Sequence, residues 1–277
     1  MSKNLLNAII NIKNRTSYDL IDESIPKNRM NGMGVALENF IKDAFCNSFE
    51  DSFEIKNQKY AACFSYLGNQ NNPPDAIIKM GDAIEIKKIE NKNLSDLALN
   101  SSYPKSKLFS DSPMITLECK NCEEWVSKDI LYVVGNIKEN KIATLIFIYG
   151  DCYAADKEIY ERVKSIVVEN IKSKLEYSDT TELGRINRVD PLGITNLRIR
   201  GMWTIQHPLK VYNDILKITN AKFQLFVLLK QEKYLSFPKD DRDNIEHEKD
   251  IILEDIKIPN PNNPAKSIEC KLIKVIK

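Results

Sequence analysis

Apolar residues at helical spacing open the chain: Leu5, Leu6, Ile9, Ile10 and Ile12 predict an amphipathic helix over residues 1–14. A polar, proline-containing stretch from Asn14 to Asn31 follows. A second helix is predicted to start near Gly32-Met33-Gly34, because Leu37, Phe40, Ile41, Ala44 and Phe45 keep the 3.6-residue period. Residues 53–66 are aromatic-rich and predict a strand, ended by Gly68 and the turn-forming run Asn69 to Pro74. Two short β segments come next, Asp75–Met80 and Ala83–Ile89, separated by Gly81-Asp82. After a polar loop with Ser101, Ser102 and Pro104, strands are predicted at Ile130–Ile137 and Lys141–Tyr149. A long helix is expected from Asp156 to Leu175, where Ile159, Val163, Ile166, Val167 and Ile171 repeat helically. Beyond the polar patch Ser178–Glu182, a segment rich in Arg, Asn and Gly runs to about Trp203. Strong strands recur at Phe223–Gln231 and Ile268–Ile276. Between them, residues 232–257 hold nine acidic and five basic residues and read as a solvated segment.

Helices and strands intermingle to the end of the chain, and no clean boundary or internal repeat divides it. The pattern predicts one α/β domain over residues 1–277, a mixed central β-sheet flanked by helices. With 277 residues, 43% of them hydrophobic, there is enough chain to bury a sizeable core. Lys plus Arg total 40 against 39 Asp plus Glu, which excludes a binder driven by bulk positive charge but not a locally basic groove. The apolar run Ile142–Tyr149 falls far short of the ~20 residues needed to cross a bilayer. The first helix carries lysines and asparagines and lacks a continuous apolar signal region, so the cytoplasm is the expected location and the six cysteines should be reduced.

The stretch Asn71 to Glu90 is the one that carries chemistry. It holds Pro74-Asp75 and, after nine intervening residues, Glu85-Ile86-Lys87. Hydrolysing a phosphodiester at neutral pH requires carboxylates to hold a divalent cation and a group to position or activate water. A two-residue turn at Gly81-Asp82 would point Asp75 away from Glu85 and Lys87. An odd loop of Met80-Gly81-Asp82 instead pairs Lys79 with Ala83, Ile77 with Glu85 and Asp75 with Lys87. Asp75, Glu85 and Lys87 then share one face, while Ala76, Ile78, Met80, Ile84 and Ile86 form a coherent apolar face opposite. The odd register satisfies core and site together, so it is the expected one. The alternative is an ordinary half-exposed hairpin whose charges face water.

Pro74-Asp75 with Glu85-Ile86-Lys87 resembles the signature of the PD-(D/E)XK nuclease superfamily. Further segments resemble the NgoPII-type family of type II restriction endonucleases: Gly34-Val35-Ala36-Leu37-Glu38, Glu85 to Glu90, Asn100 to Lys105, and Leu197 to Trp203. The resemblance spans most of the chain and is least certain over 232–265. It implies a restriction-endonuclease-like core that cuts double-stranded DNA at a short GC-rich palindrome, best read as GGCC, leaving 5′-phosphate and 3′-hydroxyl ends. It implies that Asp75, Glu85 and the Ile86 carbonyl bind Mg2+. Lys87 would orient or deprotonate the attacking water and stabilise charge on the phosphoryl oxygens. Lys88 points to the other face. By position Glu38 matches a glutamate that an early helix sends toward the metal site; the plainer alternative is a surface pair with Lys42.

Recognition is expected toward the C-terminal side. Between Arg185 and Lys222, seven basic residues face two acids, a local excess hidden by the neutral total. On a strand Arg198 and Arg200 project from one face, and arginine is the best bidentate reader of guanine in the major groove. Arg198 and Arg200 are therefore the candidate guanine readers, and Arg185 and Arg188 the candidate phosphate clamps. Ser101, Ser102, Lys105 and Lys107 are placed to approach the DNA backbone. Pairing of these arginines with surface acids, and a solvated loop around Ser101–Lys107, are the competing readings. A palindromic target predicts a homodimer, and a restriction system implies a cognate DNA methyltransferase. The rival functions are a structure-specific repair or recombination nuclease and a non-catalytic DNA-binding protein.

Other signals are weaker. Cys119 and Cys122 have metal-ligand spacing without a second ligand pair, so buried or surface thiols are favoured over zinc. His207 and His247 lack a nucleophile or carboxylate partner. Phosphate-loop and dinucleotide motifs are absent.

Overall fold

The computed structural model describes the chain except residues 1–2, 21–28, 70, 91–93, 113, 173–182 and 193. Three helices come first: α1 (Leu5–Lys13), α2 (Arg29–Cys46) and α3 (Phe53–Cys63). The Asn4 side chain caps α1 by accepting from the Leu6 and Asn7 amides. The strand expected over 53–66 is mostly α3, with only β1 (Phe64–Tyr66) extended. Ser52 caps this helix through the Ile55 amide and Glu54 sits in its first turn, local signals that outweigh the aromatic content.

Next come β2 (Ala76–Ile78), β3 (Ala83–Ile89), β4 (Leu97–Asn100), β5 (Lys107–Phe109), α4 (Leu117–Asn121), β6 (Ser127–Lys138) and β7 (Lys141–Tyr149). Helix α5 (Lys157–Lys172) matches the expected long helix; its expected end at Leu175 and the patch 178–182 lie outside the described residues. The helical period of Ile159, Val163, Ile166 and Val167 holds, and these residues are exposed. Three short strands follow, β8 (Gly184–Ile186), β9 (Leu197–Ile199) and β10 (Trp203–Ile205), then α6 (Pro208–Val211) and β11 (Gln224–Lys230). The segment expected to be solvated forms α7 (Gln231–Ser236), α8 (Lys239–Glu246) and most of β12 (Ile251–Asn260), and β13 (Asn263–Ile276) is last.

The main sheet runs β1-β2-β3-β6-β7-β11-β13-β12, with β5 also paired to β6. It is mixed: β3 is parallel to β6 and β7 to β11, whereas β6–β7, β11–β13 and β12–β13 are antiparallel. Alternation along the strands gives two apolar faces. One packs Ile84, Ile86, Leu131, Val133, Leu145, Phe147 and Val227 against α1 and α2, with Leu6, Ile9, Leu37 and Ile41 buried between. The other packs Ile77, Ala83, Ile130, Tyr132, Ile146 and Phe226 under Leu97, Leu99, Leu209 and Tyr212. Two small ribbons, β4–β10 and β8–β9, lie outside the main sheet. No helix of the described residues is long and apolar enough to cross a membrane.

Candidate active site

The β2–β3 hairpin closes differently from the expected register but keeps its faces. Ala76 pairs with Ile84 and Ile77 with Ala83, so the connection is Ile78 to Asp82 and not a three-residue loop. It is held by Ile78 N–H to the Asp82 carbonyl (3.0 Å) and Gly81 N–H to the Ile78 carbonyl (2.9 Å), with Met80 at φ 55°. This shifts the expected pairing by two residues, and Asp75 just precedes the paired part of β2. An even shift leaves every side chain on its predicted face. Met80, expected in the apolar face, is 85% exposed at the turn.

Asp75, Glu85 and Lys87 therefore meet at one wall of a cleft of about 620 Å³. The Asp75 N–H donates to the Ile84 carbonyl (2.9 Å), and its carboxylate accepts from the Ile86 N–H (2.5 Å). Glu85 is buried beside Tyr132 of β6, its neighbour in register. One Glu85 oxygen meets the Lys87 ammonium at 2.7 Å; the other, Oε2, is buried with no hydrogen-bond donor. Burial, and then the charge of Glu85, push the Asp75 carboxyl well above the usual carboxylate range. Burial opposes the charge on Lys87, but Glu85 and Asp75 outweigh it and raise the ammonium above its ordinary value. Lys88 faces away and pairs with Glu90 at 3.0 Å.

The backbone around these groups is tightly fitted. Gly68 has φ +76°, and a Cβ there would come within 2.4 Å of the Asp75 carbonyl oxygen. A Cβ on Gly150 would come within 2.3 Å of the Lys105 carbonyl oxygen. Neither role is visible in the sequence.

The remaining candidates fall in three places. Glu38 does not line the cleft. Its neighbour Leu37 packs on the opposite sheet face under Gly135, and the Glu38 carboxylate lies 3.8 Å from Lys42, although its charge still raises Asp75 and Lys87. The expected reach from the backbone side of the DNA separates: Ser102 and Lys105 line the same cleft as Asp75, Glu85 and Lys87, whereas Lys107 lies outside its lining and pairs with Asp129 at 3.2 Å. Arg185 and Arg198 are direct cross-strand partners in β8–β9, and Arg200 lies beyond the end of β9, on the cleft. The division into readers and clamps thus cuts across a structural pair. Arg188 sits apart at φ 55°, its N–H on Asn196 Oδ1.

Among the described residues no group of three or more His, Cys, Asp and Glu side chains forms a metal cluster. Cys119 is buried on α4, and the Cys122 thiol lies 3.6 Å from the Ser65 hydroxyl. Two carboxylates suffice for magnesium, which keeps several waters and binds through one or two carboxylates plus substrate phosphate. Asp75 and Glu85, with a donorless oxygen on Glu85, suit that ion.

The sequence profile of the NgoPII restriction endonuclease matches residues 3–259. The chain is 44% identical over 274 residues to the type II restriction enzyme NgoPII of Neisseria gonorrhoeae, covering 98% of each chain. The chain belongs to the NgoPII restriction endonuclease family. It is accordingly a type II site-specific endonuclease. No solved structure matches it. In this NgoPII-family chain the profile covers the hairpin, the cleft and the arginine ribbon alike.

Proposed function

We propose that this enzyme hydrolyses double-stranded DNA at a short GC-rich palindrome, GGCC being the best reading, with Mg2+ held by Asp75, Glu85 and the Ile86 carbonyl. The observation that carries this is the pairing of two carboxylates and an ammonium on one cleft wall, with one buried carboxylate oxygen lacking a donor. The Ile86 N–H faces Asp75, and the carbonyl of the same residue lies along the same strand edge. A bound magnesium ion would polarise the phosphoryl oxygen and acidify a bound water. Lys87, kept protonated by its two acidic neighbours, orients the attacking water and stabilises charge on the phosphoryl oxygens. Water adds to phosphorus and the P–O3′ bond breaks, leaving a 5′-phosphate and a 3′-hydroxyl that has gained a proton. Glu38, outside the cleft lining, adds its negative charge to the field at Asp75 and Lys87.

We assign the enzyme a PD-(D/E)XK core within one domain over residues 1–277, with recognition elements toward the C-terminal side. Arg198 and Arg200 read guanines; Arg185, Arg188, Ser102, Lys105 and Lys107 contact the backbone. Arg185 and Arg198, directly opposite one another in β8–β9, concentrate positive charge on one face of the ribbon, which suits a polyanion such as DNA. A homodimer places one site on each strand of the palindrome, in the cytoplasm, with a cognate methyltransferase shielding host DNA. Digestion of DNA of known sequence with magnesium, followed by mapping of the ends, tests the assignment. Discrete bands ending at one palindrome support it, a smear indicates a structure-specific nuclease, and no cutting indicates a binding protein.

A further inference from the structure

Lys105 differs from the other buried lysine among the described residues. Lys128 is buried but ion-paired with Glu123. Lys105 is 6% exposed and makes no ion pair among the described residues. Its ammonium donates to the Ser102 hydroxyl and the Tyr103 carbonyl (3.3 Å), both neutral, and lies 5.1 Å from the Tyr103 ring centroid. Its main chain is fixed as well: the N–H donates to the buried Tyr132 hydroxyl at 2.8 Å, and the carbonyl packs against Gly150. Tyr103 is held in turn by its hydroxyl on Glu161 (3.0 Å) and by stacking on Tyr160.

A buried ammonium without a counter-ion is costly, and a flexible lysine would ordinarily swing out to water. Here three neighbours hold it in the wall that also carries Asp75, Glu85 and Lys87. Burial lowers its pKa to about 8; the charge of Glu85 across the cleft opposes this only in part, and Lys87 adds to it. The missing anion is supplied when a phosphodiester enters the cleft.

We propose that Lys105 is a second active-site cation, its backbone contact being the scissile phosphate itself, where it donates to a non-bridging oxygen and stabilises the charge that builds there. This rests on the nuclease reading of the cleft. The test compares Lys105→Met with the parent protein in three measurements: thermal melting without metal, single-turnover cleavage of a saturating palindromic duplex with magnesium, and cleavage of the same duplex carrying a phosphorothioate at the scissile position. The expected result is a melting temperature held or raised, cleavage slowed on the order of 100-fold or more, and a smaller thio effect than in the parent. A fall in melting temperature, an unchanged thio effect or near-parental cleavage overturns the proposal, because a structural lysine would lower stability without touching the phosphate. Lys87→Ala, run alongside, separates the two failures. If it still cuts, the nuclease reading of the cleft is wrong; if it is dead while Lys105→Met cuts normally, only the role of Lys105 is wrong.

Discussion

Replacing Lys87 with glutamine should lower stability and cleavage together, and magnesium should repair only the first. Lys87 meets Glu85 at 2.7 Å, with side-chain exposures of 23% and 9%. The second Glu85 oxygen already lacks a donor, and Asp75 stands beside it. Removing one partner of a fully buried ion pair costs about 3–5 kcal/mol. The partial opening of Lys87 to water reduces this to about 2–3 kcal/mol. For a chain of this size that is a fall of about 3–5 °C in melting temperature. An ion bound only by the folded protein contributes about 2.7 kcal/mol at a hundred times its Kd. It also replaces the lost positive charge, so excess magnesium should narrow the gap between the variant and the parent. Cleavage should remain slower by a factor on the order of 10³, since the group that stabilises the phosphoryl charge is gone. Scanning fluorimetry with chelator or magnesium, paired with single-turnover cleavage, reads both quantities. Equal melting in chelator together with parental cleavage would refute the reasoning.

Three further outcomes follow from the same structure. Gly68→Ala should displace Asp75 through its carbonyl, lowering stability by about 1–3 kcal/mol and cleavage with it; unchanged melting and cleavage would mean the loop absorbs the methyl group. His207 is buried, with Nε2 on Asn136 Oδ1 (3.0 Å) and Nδ1 accepting from Leu209, and burial pushes its pKa down to about 4. The unfolded chain therefore takes up the proton first, so stability should fall by up to about 1.4 kcal/mol per pH unit between pH 6.5 and 4; denaturant melts should show a flatter slope for His207→Asn. Arg198→Ala should relax discrimination between GGCC and near-cognate duplexes, whereas Arg185→Ala should weaken all duplexes alike and reduce the salt slope by about one; anisotropy titrations across salt would contradict this if the two variants behaved identically.

The faces of the β2–β3 hairpin were legible because side-chain alternation survives any even register shift; the loop length was not, because nothing local distinguishes a three-residue from a five-residue connection. Helices α1 and α2, strands β6, β7 and β11, and the C-terminal part of β13 were legible from periodicity alone. Residues 53–66 misled because their helix has little amphipathic contrast, and the decisive Ser52 cap lies just outside the aromatic run. Residues 232–257 misled because their charges are partnered: Lys233 bridges Asp82 and Asp129 at 2.6 and 2.8 Å, and Tyr234 donates to Glu246. Lys105 carries no local mark of burial; Tyr132, Ser102 and Gly150, distant or neutral in sequence, create its environment.

Anomalous diffraction from manganese in a complex of the enzyme with its palindromic duplex tests the central claim most directly. A peak bonded to both Asp75 and Glu85 beside the scissile phosphate is the predicted result. A peak elsewhere, in crystals whose dissolved enzyme still cuts DNA with manganese, would contradict it.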